Sequence, residues 1–393
     1  MDKKIRFSTK CIHSGEYIDK ETGAVNTPIF QSSTFVLSDE DYKKILDGKA
    51  REAWIYSRYG NPTRRAVEEK IRELCNGEDA ILFSSGMAAI STTLLTFLKE
   101  GDEIITTLDL YGGTQSFIKN ELPKFGIVVK YVDQTKPEEI KKVATDKTKL
   151  LYFETLSNPL LKILDVDEVV KIAKDIGVPV VVDNTFLTPY NLTPLDRGVD
   201  IEIHSVTKYL NGHSDVVGGV VVGSKNYMDM IWERMIRYGG SMDPASSFLL
   251  ERGLKTLSLR MERHNVNALR IATFLSTHEK VRNVIYPTLD NYPQVLSSIK
   301  YLTKGAGGMV SFEVKGNDED GLKFMRNLKI IKEATSLGGV ESLVSMPFNT
   351  SHASLTEEER EKIGIGPGFI RLSVGIEDVD DLMWDIDQAL KNI

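Results

Sequence analysis

The sequence has only two cysteines among its 393 residues, Cys11 and Cys75, and two cannot build a disulfide framework. Cys-x-x-Cys pairs and histidines at metal-ligand spacing are also missing, so the six histidines do not predict a metal enzyme. Basic residues are no more abundant than acidic ones: 49 Lys and Arg stand against 56 Asp and Glu, a net charge of −7. A nucleic-acid partner is therefore not expected, because phosphate binding needs a basic surface.

Long hydrophobic segments are scarce as well. One uncharged run, residues 80–98, approaches the length of a membrane span, but it contains six hydroxyl side chains and Gly86. A strand, a turn and a helix explain this run better than a span. The first ten residues are charged and lack the apolar core of a signal peptide. We therefore expect a cytoplasmic protein without a membrane segment.

Seven short apolar runs, with helical patterns between several of them, predict the fold. They cover residues 80–83, 103–108, 127–132, 150–154, 178–182, 201–204 and 216–222. This alternation favours an α/β fold with a mostly parallel sheet covered on both faces. Ligands bind such sheets beyond the carboxyl ends of the strands. The functional residues are therefore expected just after these runs.

Changes of pattern divide the chain into three parts. Residues 1–60 mix Gly, Pro, Ser and Thr irregularly and predict an extended arm that reaches a neighbouring subunit. Residues 61–259 carry the alternating pattern of a large ligand-binding domain, beginning with a helix capped by Asn61 and stopped by Gly77. Residues 260–393 predict a smaller C-terminal α+β domain. A long helical pattern at 249–265 spans this boundary, and the domain holds a hairpin-like run at 305–314 and a strand at 370–374.

Three strand ends carry side chains suited to chemistry. The turn at residues 84–87 (Ser-Ser-Gly-Met) leads into a helix, where free N–H groups can bind a phosphate. Asp183 ends an apolar strand, where a carboxylate needs a cationic or N–H partner. Residues 205–208 (Ser-Val-Thr-Lys) place two hydroxyls beside a lysine. Taken singly, each has a plain structural explanation: a packing turn, a helix-cap acid and a surface lysine.

Together these three features suit one cofactor, pyridoxal 5′-phosphate (PLP). This cofactor needs an amine for its aldehyde, an acid for its pyridine nitrogen and donors for its phosphate. Lys208 offers the amine and Asp183 offers the acid. The turn at 84–87 and the two hydroxyls offer the phosphate donors.

The order of these features resembles the Cys/Met-metabolism family of PLP enzymes, whose members include cystathionine γ-synthase, cystathionine γ- and β-lyases and methionine γ-lyase. The resemblance runs from about Ser14 to the C-terminus. Its motifs lie at 56–63 (YSRYGNPT), 85–87 (SGM), 109–114 (DLYGGT), 183–185 (DNT), 205–215 (SVTKYLNGHSD), 336–343 (SLGGVESL) and 371–375 (RLSVG). It implies an aspartate-aminotransferase-like (fold type I) α/β fold. It also implies a homotetramer of two tight dimers with active sites at the dimer interface.

The resemblance implies a role for each matching residue. Lys208 would be joined to the cofactor and would move protons, Asp183 would pair with the pyridine nitrogen, and Tyr111 would stack on the ring and assist the leaving group. The phosphate would be held by Ser85, Gly86, Met87, Ser205 and Thr207, with Tyr56 and Arg58 of the partner subunit. The substrate would be held by Arg371 through its α-carboxylate, with Asn158, which also contacts the cofactor, Ser336 and Glu341. For Glu341 a purely structural hydrogen bond is an equal alternative.

The implied reaction is γ-carbon chemistry on a small sulfur amino acid. We favour elimination to 2-oxobutanoate, ammonia and a thiol, with a γ-synthase joining an O-acyl homoserine to cysteine as the alternative. Ser116 and Ile55 stand where cystathionine enzymes usually carry charged residues, which favours a substrate with an uncharged tail. Against this, Gly113 replaces the usual cysteine of methionine γ-lyases, and residues 338–343 look more like the cystathionine enzymes. A PLP transaminase and a non-catalytic protein on this fold remain further alternatives.

Overall fold

The computed structural model describes residues 5–350, 358, 360 and 364–393, and it confirms the α/β fold. All seven apolar runs form strands of one sheet, in the order β1-β7-β6-β5-β4-β2-β3. The strands are β1 Asp79–Phe83, β2 Glu103–Thr106, β3 Val128–Tyr131, β4 Thr148–Glu154, β5 Val180–Asp183, β6 Ile201–Ser205 and β7 Gly219–Gly223. Only β7 runs against the other six, so the sheet is mostly parallel, as predicted.

Helices cover both faces of this sheet. The helices up to residue 276 are α1 Phe7–His13, α2 Asp39–Leu46, α3 Pro62–Cys75, α4 Gly86–Phe97, α5 Gly112–Asn120, α6 Glu139–Val143, α7 Val166–Ile176, α8 Thr188–Asn191, α9 Lys225–Tyr238, α10 Pro244–Leu254 and α11 Leu257–Ser276, and not all of them pack on this sheet. One core cluster joins α4, α5 and α9 to the sheet, and another joins α3, α7 and α10 to it. The uncharged run 80–98 is β1, a turn and α4. No helix among the residues placed by the structure is long and apolar enough to cross a membrane.

The capping of α3 differs by one residue from the sequence prediction. Asn61 caps its start by accepting the N–H of Thr63 at 3.0 Å, as expected. The residue that ends the helix is Asn76, with a left-handed φ of 56°, and not Gly77. Gly77 instead serves packing, because a Cβ there would lie 2.4 Å from the side chain of Val222.

The first segment is less extended than predicted, since α1, α2 and a 3-10 turn at Ala50–Glu52 lie within it. Helix α2 forms because Ser38 and Asp41 make a capping box, in which each side chain accepts the other residue's N–H. Residues 1–4 of the expected arm lie outside the described part of the chain.

A second sheet of five strands forms the C-terminal part, in the order β10-β11-β12-β9-β8. Its elements are β8 Val281–Ile285, α12 Val295–Tyr301, β9 Met309–Val314, α13 Asp318–Asn327, β10 Lys332–Glu333, β11 Leu343–Ser345, β12 Phe369–Ser373 and α14 Val379–Leu390. The strand predicted at 370–374 is β12. The hairpin predicted at 305–314 is wrong: this segment is a loop followed by β9, which pairs with the distant β8 and β12.

The long helical pattern at 249–265 is two helices, α10 and α11, rather than one. At the end of α10, Gly253 packs so closely on residue 211 that a Cβ would lie 2.3 Å from the carbonyl oxygen of Asn211. The domain boundary expected at residue 260 falls inside α11.

Candidate active site

A cavity of about 570 Å³ lies at the carboxyl ends of β4, β5 and β6, the edge where the sequence predicts the ligand. The five-stranded sheet closes its other side through β12 and the residues before β11. Most of the predicted site residues line it: Ser85, Gly86, Met87, Tyr111, Asn158, Asp183, Ser205, Thr207, Lys208, Ser336 and Arg371. Three predicted residues do not line it: Tyr56, Arg58 and Glu341.

Lys208 follows β6 and directs its amine into the cavity. The Nζ of Lys208 donates a hydrogen bond to the hydroxyl of Ser336 at 2.8 Å. Burial, and then the nearby cation of Arg371, lower the pKa of Lys208 to about 8, although the carboxylate of Asp183 opposes them. A lysine in this state has a substantial neutral fraction near neutral pH, so it can act as a nucleophile or a base.

Two buried carboxyl groups lie side by side beneath the cavity. Asp183 ends β5 and is paired across the sheet with Glu154, which ends β4. The carboxylate of Asp183 accepts the N–H of Thr185 at 2.9 Å, and burial raises its pKa. Glu154 accepts the N–H of Tyr111 at 2.7 Å, and burial raises the pKa of Glu154 well above its usual range. Among the described residues neither acid forms a salt bridge with a cation, and a buried acid of this kind suits a protonated ring nitrogen.

The start of α4 forms an open cradle at another wall of the cavity. Ser85 caps the helix by accepting the N–H of Ala88 at 3.0 Å. The first N–H groups of a helix have no partner within it, so they can bind an anion. Gly86 keeps this place clear, because a Cβ there would lie 3.0 Å from the Cβ of Ser205.

Arg371 lies on β12, between Ser311 and Ser345 of the neighbouring strands, and is only 8% exposed. Its guanidinium donates to the carbonyl of Ser336 at 3.0 Å and to the amide oxygen of Asn158 at 3.4 Å. Burial lowers the pKa of Arg371 to about 10. Within the described ranges no carboxylate pairs with it, so its planar fork is available to a carboxylate ligand.

The three predicted residues outside the cavity have other contacts. The Arg58 guanidinium lies 5.3 Å from the ring centre of Tyr56, and both side chains are exposed on this chain. The carboxylate of Glu341 accepts a hydrogen bond from the hydroxyl of Ser214. This hydrogen bond is the kind that the structural alternative for Glu341 describes, and its substrate role stays a prediction.

A fully buried cluster of Cys75, Glu202 and His204 lies under the same sheet edge, and sequence spacing did not reveal it. Its potential ligand atoms lie within 4.8 Å of one another, the one such group in the part of the chain that the structure describes. The Nε2 of His204 and the Nδ2 of Asn184 each lie 2.8 Å from the same oxygen of Glu202. These hydrogen bonds explain the close approach without a metal ion.

The cavity fits PLP. The buried acid of Asp183 suits the ring nitrogen, the cradle at Gly86 suits the phosphate, and the amine of Lys208 suits the aldehyde. Glu154 and Thr185 also line the cavity, but sequence reasoning did not single them out. Glu154 was detectable in principle, because it ends a predicted strand next to the one that carries Asp183.

Comparisons with known proteins agree with this fit. The family model described as "Cys/Met metabolism PLP-dependent enzyme" matches residues 8–391. The chain is 46% identical over 386 residues to a cystathionine gamma-lyase of Bacillus subtilis, covering 98% of this chain and 99% of that protein. It is 42% identical over 396 residues to an L-methionine gamma-lyase of Fusobacterium nucleatum, covering 100% and 99%. A crystal structure of cystathionine gamma-lyase from Lactobacillus plantarum complexed with L-serine superposes with a TM-score of 0.92, at 38% identity and 99% coverage of both chains.

Proposed function

The chain belongs to the Cys/Met-metabolism family of PLP-dependent enzymes, and we propose that it is a carbon–sulfur lyase acting at the γ-carbon of sulfur amino acids. Its substrate is a small amino acid. The products are 2-oxobutanoate, ammonia and a thiol, formed with the uptake of one water. Relatives named gamma-lyases, at 46% and 42% identity over nearly the whole chain, favour elimination over the γ-synthase alternative.

The observation that carries the proposal is that Ser336 binds both Lys208, the proposed proton acceptor, and Arg371, the proposed site for the substrate carboxylate. Its hydroxyl accepts from Lys208 and its carbonyl accepts from Arg371. Because both groups bind the same residue, a substrate held at Arg371 by its α-carboxylate would bring its α-carbon towards the amine of Lys208. The lowered pKa of Lys208 lets that amine accept a proton at working pH.

In this arrangement each residue has a defined task. PLP, when bound, supplies the sink for the electrons released at the α-carbon. Lys208 removes the α-proton and then moves a proton from the β-carbon, which expels the γ-substituent. The Tyr111 hydroxyl protonates the leaving sulfur. Asp183 would keep the ring nitrogen of the bound cofactor protonated, and the start of α4 with Ser205 and Thr207 would hold its phosphate.

The residues around the substrate tail favour an uncharged group. The cavity lining includes Thr335, Leu337, Asn349 and Thr350, none of which is charged. Ser116, in the position where cystathionine enzymes usually carry arginine, accepts a hydrogen bond from Asn120. A hydrophobic or neutral pocket separates related tails by only about 1–3 kcal/mol per methylene, so we propose that methionine and cystathionine are both accepted.

A product assay tests this function. Purified holoenzyme is incubated with methionine, with cystathionine, and with O-acetylhomoserine plus cysteine. We expect 2-oxobutanoate and ammonia with methanethiol from methionine, and with cysteine from cystathionine. Pyruvate with homocysteine from cystathionine would contradict γ-elimination. Cystathionine formed as the main product in the third mixture would favour the synthase instead, and a keto acid without ammonia would favour a transaminase.

We further propose that the enzyme is a homotetramer built from two tight dimers, with Tyr56 and Arg58 of the partner subunit completing each phosphate site. Exposed apolar side chains in the first segment support this, since Val25, Val36 and Leu46 are 84%, 98% and 87% exposed on the single chain. The two free cysteines favour the reducing cytoplasm. As domains we propose the arm at 1–60, the PLP-binding domain at 61–259 and the C-terminal domain at 260–393.

A further inference from the structure

Helix α11 contacts the chain beside two groups that the proposed reaction uses, Lys208 and Arg371. Lys208 follows β6 of the seven-stranded sheet, whereas Arg371 lies on β12 of the five-stranded sheet. Among the residues with described structure, no strand belongs to both sheets. The distance between the amine and the guanidinium therefore depends on groups that bind both sides, and these are Ser336, which contacts both directly, and α11, which contacts the backbone after each.

Arg260, near the start of α11, binds the turn that carries Lys208. Its guanidinium donates to the carbonyl of Tyr209 at 2.6 Å and to the carbonyl of Leu210 at 3.2 Å. It also donates to the carbonyl of Gly253 at 2.8 Å, and its Nε donates to the hydroxyl of Thr256 at 3.2 Å. These bonds fix the backbone immediately after Lys208 to the start of the helix.

The burial of Arg260 shows that this contact is specific. The side chain is only 3% exposed, and within the described ranges it forms no salt bridge with a carboxylate. Burying an unpaired cation costs free energy unless its donors are satisfied. The chain also leaves room for it at Gly212, which has φ +76° and where a Cβ would lie 2.0 Å from the guanidinium.

The same helix holds the other side of the site one turn further on. The Nδ1 of His264 donates to the carbonyl of Val374 at 2.7 Å. The amide of Asn267 donates to the carbonyl of Gly375 at 3.1 Å. Both carbonyls follow directly after β12, the strand that carries Arg371.

We propose that Arg260 is a positioning residue that sets the place of the Lys208 amine relative to Arg371, with α11 as the rigid link between them. The inference rests on the proposed function for the role of the two groups. It assigns two residues one turn apart on α11 to two kinetic quantities. Arg260 acts on proton transfer by Lys208, and His264 acts on the carboxylate site at Arg371.

The test compares holoenzymes carrying Arg260→Lys, Arg260→Gln and a matched control, Arg270→Lys. Arg270 lies on the same helix but is exposed, and pairs with Asp380 at 2.6 Å. We measure kcat, KM, the pH midpoint of the visible absorbance change of bound cofactor, and the thermal midpoint. Because a displacement of about 1 Å in a reacting group can cost 100-fold, we expect kcat to fall about 10- to 100-fold in Arg260→Lys. The control should match the unaltered enzyme.

Two further variants separate positioning from general stability. Thr256→Val removes one acceptor of Arg260 and should lower kcat in the same direction, by less, even where Arg260→Gln does not fold. His264→Asn should raise KM more than it lowers kcat, whereas Arg260→Lys should leave KM within about threefold.

A shifted absorbance midpoint together with lower kcat in Arg260→Lys supports the proposal. A lower thermal midpoint with kcat and absorbance midpoint equal to those of Arg270→Lys overturns it, and so does an effect on KM alone. If the unaltered enzyme turns over none of the sulfur amino acids, the proposed function fails. In that case the pH midpoint of the cofactor absorbance, compared between Arg260→Lys and Arg270→Lys, still tests whether Arg260 positions Lys208.

Discussion

At the scale of single residues, the account depends on the electrostatics of Lys208. Its amine is largely buried and lies near the cation of Arg371, and within the described ranges no carboxylate forms a salt bridge with it. A nearby cation disfavours the protonated amine, so Arg371 lowers the pKa of Lys208. The substrate carboxylate site and the proton acceptor are thus coupled through charge.

This coupling gives a pH prediction for the cofactor-free protein. The reactivity of Lys208 with an amine reagent should rise with pH around a midpoint of about 8, because only the neutral amine reacts. Arg371→Gln removes the cation, so the protonated form is less disfavoured and the midpoint should move to higher pH. Arg371→Lys keeps a positive charge and serves as the control, with a midpoint close to the original.

Competitive acetylation followed by peptide mass mapping measures this reactivity at Lys208 alone. An unchanged midpoint in Arg371→Gln would show that burial by itself sets the pKa of Lys208. The coupling between the two groups would then be wrong.

The residues of the site differ in how well the sequence predicts them. Lys208 and Asp183 follow apolar strands, so parallel-sheet geometry alone predicts that they meet at one edge. Arg371 was found by its motif, but its neighbour Ser336 acquires its bridging role only through a fold that brings residues 35 positions apart together. The buried cluster of Cys75, Glu202 and His204 was invisible, because Cys75 is 129 positions from His204.

At the scale of elements, the start of α4 is the part of the site most sensitive to a small change. Gly86 is the first residue of this helix, and a Cβ there would lie 3.0 Å from the Cβ of Ser205, one of the proposed phosphate donors. We expect Gly86→Ala to weaken PLP binding about tenfold, or about 1.4 kcal/mol, since the new methyl group would crowd Ser205 and the phosphate.

Titration of the cofactor-free protein with PLP, followed by absorbance, checks this expectation. Ser91→Ala lies further along α4 and should leave the affinity unchanged. Equal affinities in Gly86→Ala and the unaltered protein would mean that the phosphate is not held at this helix start.

The elements themselves were predictable to different degrees. Apolar runs found all seven strands of the main sheet, because buried strands read as continuous hydrophobic segments. The sequence did not predict the antiparallel direction of β7 or the strands that pair with β9. Strand pairing depends on the positions of segments that are distant in the sequence. The break between α10 and α11 was also missed, because the helical periodicity continues across it.

At the scale of the whole molecule, the single chain leaves its site incomplete under the proposed assembly. Tyr56 and Arg58 lie outside the cavity of their own chain. If they serve the partner's site, two inactive variants should repair each other. The test is to mix Lys208→Ala with Arg58→Ala and let the subunits dissociate and reassociate. Half of the random dimers are then mixed, and each mixed dimer has one intact site out of two. We therefore expect about a quarter of the full activity.

The separate variants, each treated in the same way alone, are the controls. Activity that stays at the level of the separate variants would place Arg58 in the site of its own chain. The proposed exchange across the dimer interface would then be wrong. Sequence reasoning reached this arrangement only through family resemblance, since contacts between subunits leave no periodic pattern in one chain.

The most direct test of the account is to find where the cofactor is attached. Purified holoenzyme is reduced with borohydride, digested and mapped by mass spectrometry, with Lys208→Ala treated in parallel. We predict one reduced PLP adduct per chain, on the peptide containing Lys208, and none in the variant. An adduct on another lysine, or an unlabelled protein that also fails to bind added PLP, would contradict the account.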